Sequence, residues 1–265
     1  MSFAFLTTRY VMLVARSGNQ GRPECPRVVV LDLDLMSPQL VSLKDVEYTC
    51  ELLYPPLGPE CLLCVTRIQS DPAPQCRPHP SLRVPFSVAD EERLFVVTLG
   101  LLVESQRMDI LSLVPSSTLL SCLSSIPSGQ TRHTFQWADW GPRGSRFYST
   151  CESASANWNC YVYGMSFAYL SSSQQSVVVL DFNQRSIRRS LSNPRSEKTP
   201  QHAVLVTELT ELRDGIVFES TVQTWLPFWM AESASVPREQ GRWIAAMMGE
   251  DSLVMVSNVS SLCAV

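Results

Sequence analysis

Four residues in the first third of the chain have the types and the spacing of a zinc site. Cys61, Cys64, Cys76 and His79 form a C-x2-C-x11-C-x2-H pattern, and thiolate and imidazole groups are common zinc ligands. The residues around 62–66 read as a strand, however, in which Cys61 and Cys64 would lie on opposite faces. We therefore favour free thiols at these positions and expect neither a metal nor another cofactor.

A second segment has the outline of a nucleophile elbow. Residues 164–168 read Gly-Met-Ser-Phe-Ala, but a nucleophile elbow needs a strand before it and a helix after it. Both flanks of this segment predict strands. The chain has only three histidines as candidate bases, His79, His133 and His202. We therefore expect no catalytic residues and a non-enzymatic function, with a hydrolase as the less favoured alternative.

A polar segment at 185–201 contains a candidate modification site. Arg189, Ser192 and Pro194 match the arginine, serine, any residue, phosphoserine, any residue, proline pattern of 14-3-3 ligands, whose phosphate is bound by an arginine cluster. The segment predicts an exposed loop and a phospho-regulated partner site of the 14-3-3 type. The alternative is a solvated arginine-rich loop whose serines stay unmodified.

The composition limits the partners. The 265 residues have a net charge of −4, and Lys44 and Lys198 are the only lysines among 21 cations. An acidic chain is poorly suited to phosphate backbones, so we expect no nucleic-acid partner. Arginine makes bidentate contacts that persist on burial, so some arginines should bind backbone carbonyls.

The N-terminal residues and the apolar runs favour a cytoplasmic or nuclear location. No run approaches the ~20 apolar residues that span a bilayer, so we expect no membrane partner. The pattern of a signal peptide is missing at 1–16. Nine cysteines are then expected as free thiols in a reducing compartment.

An internal repeat predicts the strands that should hold these residues. The segment 28–34, VVVLDLD, recurs as VVVLDFN at 177–183, and a Tyr-Val pair precedes each copy, at 10–11 and at 161–162. The β-branched runs are continuous, so both faces of these strands should be covered, as in the inner strands of stacked sheets.

Further strand pairs are predicted at 94–103 with 108–114, at 203–209 with 216–225, and at 243–248 with 253–256. Hairpins that begin about 40 residues apart are typical of four-stranded propeller blades. We therefore predict one all-β, propeller-like domain over 1–265 with about five or six partly irregular blades, one of them around 48–67. Helical patterns are weak throughout.

Trp137 and Trp140 invite a binding-groove interpretation, but large aromatic residues more often pack in the core of a β fold. In a strand, two residues three apart would lie on opposite faces, so at least one tryptophan should be buried. Arg143 and Arg146, beside Gly141 and Pro142, are candidates for tying a loop to backbone carbonyls.

The same region carries a family resemblance. The segments WADWGPRGSR at 137–146, WNCYVYG at 158–164 and VVLDFN at 178–183 together resemble the C-terminal region of F-box proteins from mushroom-forming fungi. In that family an F-box docks a ubiquitin-ligase adaptor, and the often propeller-like C-terminal part is presumed to select the substrate. No segment of this chain resembles an F-box.

The resemblance implies a non-catalytic protein-interaction domain, namely the substrate-recognition part of an F-box-type ubiquitin-ligase receptor. Its partners would be protein substrates. A free-standing propeller scaffold without a ligase link is the alternative, because the F-box is not found.

Overall fold

The computed structural model describes residues 2–17, 25–36, 46–74, 92–150, 162–171, 176–192, 203–213, 216–233, 242–249 and 252–258. Most of these residues lie in strands. None of the helices in the described ranges is long and apolar enough to cross a membrane.

The strands of the described ranges form three sheets and two separate pairs. In spatial order, sheet 1 comprises β1 (Phe3–Phe5), β2 (Tyr10–Ser17), β3 (Cys25–Asp32), β4 (Cys50–Leu53) and β8 (His133–Phe135). Sheet 2 comprises β5 (Cys61–Gln69), β6 (Leu94–Val103), β7 (Gln106–Pro115) and β9 (Arg146–Thr150). Sheet 3 comprises β10 (Val162–Tyr163), β11 (Ser166–Ser171), β12 (Ser176–Asp181), β16 (Phe228–Glu232) and β13 (Ala203–Val206). The pairs are β14 (Thr210–Leu212) with β15 (Val222–Thr224), and β17 (Arg242–Met248) with β18 (Leu253–Asn258).

The sheets stack face to face in chain order. One hydrophobic core joins sheets 1 and 2, and includes Val30 and Leu99. A second core joins the other face of sheet 2 to sheet 3, and a third joins the other face of sheet 3 to the β17–β18 pair. Sheets 2 and 3 are therefore each packed on both faces, which requires apolar residues at successive strand positions.

The valine-rich strands β3 and β12 show this two-sided burial directly. In β3, Val28 and Val30 pack against sheet 2, while Val29 lies in a separate cluster on the other face. In β12, Val178 packs towards sheet 2 and Val177 towards β17–β18. The prediction that both faces of these strands are covered is confirmed.

The two valine-rich strands also end in the same way. Asp32 ends β3 and Asp181 ends β12, and each carboxylate accepts a hydrogen bond from the backbone N–H two residues later. The donors are Asp34 at 3.1 Å and Asn183 at 2.9 Å. These short-range bonds turn the chain out of the sheet at equivalent points.

The strands that pair with the two aspartates differ from the sequence prediction. Asp32 pairs with Tyr10, but Asp181 pairs with Ser166. The expected repeat of the Tyr10–Val11 strand is therefore wrong for Val162, and Tyr161 lies outside the described residues. Val162 belongs to the short strand β10, which pairs with β11. It is β11 that pairs with the second valine-rich strand, β12, as β2 pairs with β3.

One position of the repeat differs in charge. The N–H of Leu33 donates to the carbonyl of Arg9 (2.8 Å), and the N–H of Phe182 donates to that of Met165 (2.9 Å). Met165 thus occupies the place of Arg9. The Arg9 guanidinium donates hydrogen bonds to Asp32 at 2.5 to 3.0 Å and lowers the pKa of that carboxyl.

We expect opposite effects from neutralising the two aspartates. Burial raises the pKa of Asp181, so its contribution to stability is present below the unfolded pKa of about 4 and is lost as the pH rises. The lowered pKa of Asp32 means the reverse: its contribution is present above about pH 4 and is lost as the pH falls. Thermal melts near neutral pH should show Asp181→Asn unfolding a few degrees higher than the native chain and Asp32→Asn unfolding lower. The Asp181→Asn difference should shrink as the pH falls towards about 4, whereas the Asp32→Asn difference should shrink only below about pH 4. Shifts of the same sign for the two variants near neutral pH would contradict this assignment.

The strand pairings confirm some predicted hairpins and correct others. The β6–β7 and β17–β18 hairpins form as predicted. The predicted pairing of 203–209 with 216–225 is wrong, because β13 pairs with β16 and β14 pairs with β15. The predicted blade at 48–67 is wrong too, since β4 belongs to sheet 1 and β5 to sheet 2.

Three short helices among the described residues correct the expectation that helical structure is weak throughout. They are α1 (Ser116–Ser125), α2 (Trp137–Gly144) and α3 (Gln184–Ser192). The predicted loop at 185–201 is therefore wrong for 185–192, which are helical. In α2, a Cβ at Gly141 would lie 2.2 Å from the ring of Trp137, so close packing on that ring requires glycine.

Candidate functional site

The edges of sheets 1 and 2 meet beside a cavity. Strands β1 and β5 each lie at the edge of their sheet. The hydroxyl of Ser2, just before β1, donates to the carbonyl of Ile68 in β5 (3.2 Å) and accepts from the N–H of Ile68 (3.1 Å). One serine therefore ties two neighbouring edge strands together.

Arg93 makes the second link between these edges. Its Nη1 donates to the carbonyl of Pro72 at 3.1 Å, and its Nη2 donates to the carbonyls of Phe5 and Leu6 at 2.9 and 2.5 Å. Because Ser2 lies beside Ile68 and Phe5 lies beside Pro72, β1 and β5 run in the same direction. Arg93 is 1% exposed, so its guanidinium is a buried clamp on three carbonyls.

Sheet 3 joins the same place through the β10–β11 turn. The N–H of Gly164 donates to the carbonyl of Asp71 (2.8 Å), and the N–H of Leu94 donates to the carbonyl of Gly164 (2.7 Å). Gly164 has a φ of +56°, a conformation in which glycine has no steric cost. Burial raises the pKa of Asp71, while Arg93 acts to lower it.

A cavity of about 620 Å³ lies at this junction. Its walls are the two strand edges and the loop after β5: residues 2–5, 65–71, 73 and 74, with Arg93. A volume of this size accommodates one or two side chains of a partner or a small molecule.

Two exposed aromatic side chains belong to the cavity wall. Phe3 is 61% and Phe5 40% exposed, and their rings pack edge to face with centroids 6.0 Å apart. They alternate with Ala4, which packs against the core, so both rings lie on the opposite face of β1. Exposed aromatic pairs of this kind are typical of interaction surfaces.

One arginine lines the cavity, and a second is bonded to β5 next to the lining residue Val65. The first is Arg67, and the second, Arg16, donates through Nη2 to the carbonyl of Cys64 in β5 at 2.7 Å. Neither arginine takes part in an ion pair of the described residues. We call the cavity, with Phe3, Phe5, Arg16 and Arg67, the edge groove. Its chemistry suits a protein segment that carries apolar and acidic side chains.

The sequence-predicted phosphorylation residues lie far from this groove in sequence and on another element. Arg189 and Ser192 are exposed in the last turn of α3. Pro194 lies outside the described residues. Arg189 and Ser192 are therefore not part of the edge groove.

The four predicted zinc-site residues are only partly described. Cys61 is buried and Cys64 exposed, on opposite faces of β5 as predicted. Cys76 and His79 lie outside the described residues. In the described part of the chain, no group of three or more His, Cys, Asp or Glu side chains is arranged to hold a metal ion.

The segment that outlines a nucleophile elbow is flanked by strands, as predicted. Ser166 begins β11 and pairs with Tyr163 of β10 and with Asp181 of β12. An elbow serine would instead begin a helix.

The aromatic residues of α2 pack in the core. Trp140 is 4% exposed, donates through Nε1 to the carbonyl of Leu53 at 3.2 Å and packs on Tyr54. The core role predicted for at least one tryptophan is confirmed, although the segment is helical rather than extended. Trp137 lies on the same side of the helix, with its ring centroid 5.0 Å from that of Trp140.

Of the two arginines predicted to bind backbone carbonyls near α2, Arg146 does so. Arg146 is buried and donates to the carbonyls of Glu208 (2.6 Å) and Leu226 (3.4 Å), as predicted for a carbonyl-binding arginine. Burial lowers its pKa. Arg143 is exposed.

Sequence reasoning missed Phe3, Phe5 and Arg93. The only signal for the phenylalanines is an aromatic pair at alternating positions before a strongly predicted strand. Arg93, directly before the strand at 94–103, has the residue type expected of a carbonyl clamp, but nothing in the sequence connects it to β1. Comparisons with protein-family models, with curated proteins and with solved structures give no match for this chain.

Proposed function

We propose that this chain is a propeller-like protein-interaction domain that binds a partner protein through the edge groove. The observation that carries the proposal is the cavity of about 620 Å³ beside two exposed phenylalanines, at the junction of three sheets. Aromatic side chains and arginine are enriched in the residues that dominate binding energy at protein interfaces.

The arrangement of the sheets supports the propeller-like part of the proposal. In a propeller, successive four-stranded blades pack face to face around a central channel, and their inner strands run side by side. Sheets 1, 2 and 3 stack in chain order, and β1 and β5 lie beside each other in the same direction. The β17–β18 pair packs on sheet 3 as a further layer. We propose about five or six such blades, some of them incomplete.

The more specific role is the substrate-recognition part of an F-box-type ubiquitin-ligase receptor. The support for this role is the resemblance of the segments at 137–146, 158–164 and 178–183 to the C-terminal region of fungal F-box proteins. The second candidate is a propeller scaffold without a ligase link. An F-box encoded in frame upstream would support the first role, whereas a translation start at Met1 would favour the scaffold.

Selection from a displayed peptide library tests the binding function. The purified chain is used as bait, and recovered peptides are expected to combine apolar residues with Asp or Glu. The double variant Phe3→Ser/Phe5→Ser should lose these peptides, because it removes the aromatic surface without touching a buried residue. Arg67→Glu should lose the acidic peptides selectively, since it reverses the charge at the cavity wall.

Leu62→Ser provides the matched control. Leu62 is an exposed apolar residue, at 57%, on β5 but outside the cavity lining. This variant should retain the selected peptides. Equal retention by the Phe3→Ser/Phe5→Ser variant would show that the edge groove is not the binding site.

A further inference from the structure

The helix α3 is anchored at its beginning and in its middle, but not at its end. The side-chain oxygen of Asn183 accepts from the N–H groups of Arg185 and Ser186, both at 3.1 Å. Ile187 is 0% exposed and is the one buried residue of the helix. After it the helix has no buried side chain, and Leu191 is 56% exposed.

Ser192 is an exposed hydroxyl that closes the last turn of α3. Its Oγ donates to the carbonyl of Arg188 (2.8 Å) and lies 3.1 Å from that of Arg189. The Arg189 carbonyl is among the last four of the helix, which have no backbone donor within it. The Ser192 hydroxyl therefore helps to satisfy the end of the helix.

Two arginines precede this hydroxyl at helical spacing. Arg188 and Arg189 lie four and three residues before Ser192, so their side chains share its face of the helix. Arg185 pairs with Glu92 at 2.7 Å, whereas the ion pairs of the described residues include neither Arg188 nor Arg189. An arginine three residues before an exposed serine suits a kinase that selects basic substrates.

We propose that Ser192 is a phosphorylation site, and that its phosphate unwinds the last turn of α3 and exposes a phosphoserine segment for a reader of the 14-3-3 type. The kinase transfers the terminal phosphoryl group of a nucleoside triphosphate to Oγ. An Oγ–P bond forms as the bond to the leaving nucleoside diphosphate breaks, and the hydroxyl proton passes to the kinase's base.

The phosphate destabilises the last turn of α3 in two ways. It replaces the hydroxyl hydrogen, so Oγ can no longer donate to the carbonyl of Arg188. It also places almost two negative charges at the negative end of the helix dipole. Attraction to Arg188 and Arg189 opposes unwinding, but exposed pairs of this kind contribute little. Because Ile187 remains buried, the release is confined to the residues after it.

The released segment has the chemistry that a phosphoserine reader binds. Such readers capture the phosphate with a cluster of arginines, and the helical form would keep Ser192 turned against its own backbone. Unwinding separates the phosphate from the helix, while Arg189 stays three residues before it. This inference does not depend on the edge groove.

Phosphorylation of the full chain by a basophilic kinase with ATP tests the proposal. Mass spectrometry of peptides should place the phosphate on Ser192. Amide hydrogen exchange at 190–192 should become about fivefold faster or more in the phosphorylated chain, with exchange at 184–187 unchanged. Titration with a purified 14-3-3 protein should show binding only after phosphorylation.

Two variants at serines of the same helix make the test specific. Ser192→Ala should lose the modification and the 14-3-3 binding, while Ser186→Ala, a matched change at an exposed serine outside the motif, should retain both. A phosphate that maps elsewhere, unchanged exchange at 190–192, or equal 14-3-3 binding by phosphorylated wild type and treated Ser192→Ala would each overturn the proposal.

Discussion

Replacing Arg93 with methionine is expected to destabilise the chain by about 3–5 kcal/mol. Methionine fills a similar volume but donates no hydrogen bond, so the carbonyls of Phe5, Leu6 and Pro72 lose their guanidinium partner in a buried environment. Each of these bonds has a charged donor, which makes it stronger than a neutral hydrogen bond. Urea unfolding, with the midpoint and slope both fitted, measures the loss.

Two further substitutions separate the geometry of the clamp from its charge. Arg93→Lys keeps the charge, but a single ammonium cannot reproduce the planar fork that reaches three carbonyls, so it should recover only part of the stability. Arg107→Met is the matched control on an exposed arginine of β7 and should change stability by less than about 0.5 kcal/mol. An Arg93→Met variant as stable as Arg107→Met would show that the clamp does not hold sheets 1 and 2 together.

The strands were predictable where their pattern was strong and local. Continuous valine runs at 28–30 and 177–179 predicted two-sided burial, and the structure places successive valines of each run in different cores. The turn at Glu104 and Ser105, both with positive φ, joins the predicted β6–β7 hairpin. Pairing between distant strands, such as β12 with β16, depends on packing that no local pattern contains.

The helices were missed because tertiary contacts, rather than intrinsic propensity, hold them. α2 contains Pro142 and two glycines in eight residues, a composition that disfavours an isolated helix. It forms because Trp140 is buried against Tyr54 and because Asp139 accepts from the N–H of Gln136 at 2.8 Å. In α3, a single buried residue, Ile187, gave no detectable helical period.

The edge groove could not be predicted for a similar reason. Its clamp joins Arg93 to carbonyls 87 and 88 residues away in the chain, and its wall combines β1 and the residue before it with β5 and the loop that follows β5. Each residue is unremarkable in its own segment. Only the stacking of sheets 1 and 2 brings them together, and that stacking is a property of the whole core.

Aspartate at Val178 or at Val179 tests the stacking itself. Val178 is 6% exposed and lies in the core between sheets 2 and 3. Its cross-strand partner is Glu232, so Val178→Asp would bury an unpaired charge beside a like charge. This variant should lose about 4 kcal/mol of stability or more. Val179 packs on the opposite face towards β17–β18, and Val179→Asp should also be severely destabilising, by at least about 2 kcal/mol. Val204→Asp is the matched control, because Val204 lies on the edge strand β13 of the same sheet and is 60% exposed; it should change stability by less than about 0.5 kcal/mol. Thermal melts of the three variants measure these losses. A Val178→Asp variant as stable as the native chain would show that Val178 does not pack against sheet 2. An equally stable Val179→Asp variant would show that Val179 does not pack against β17–β18.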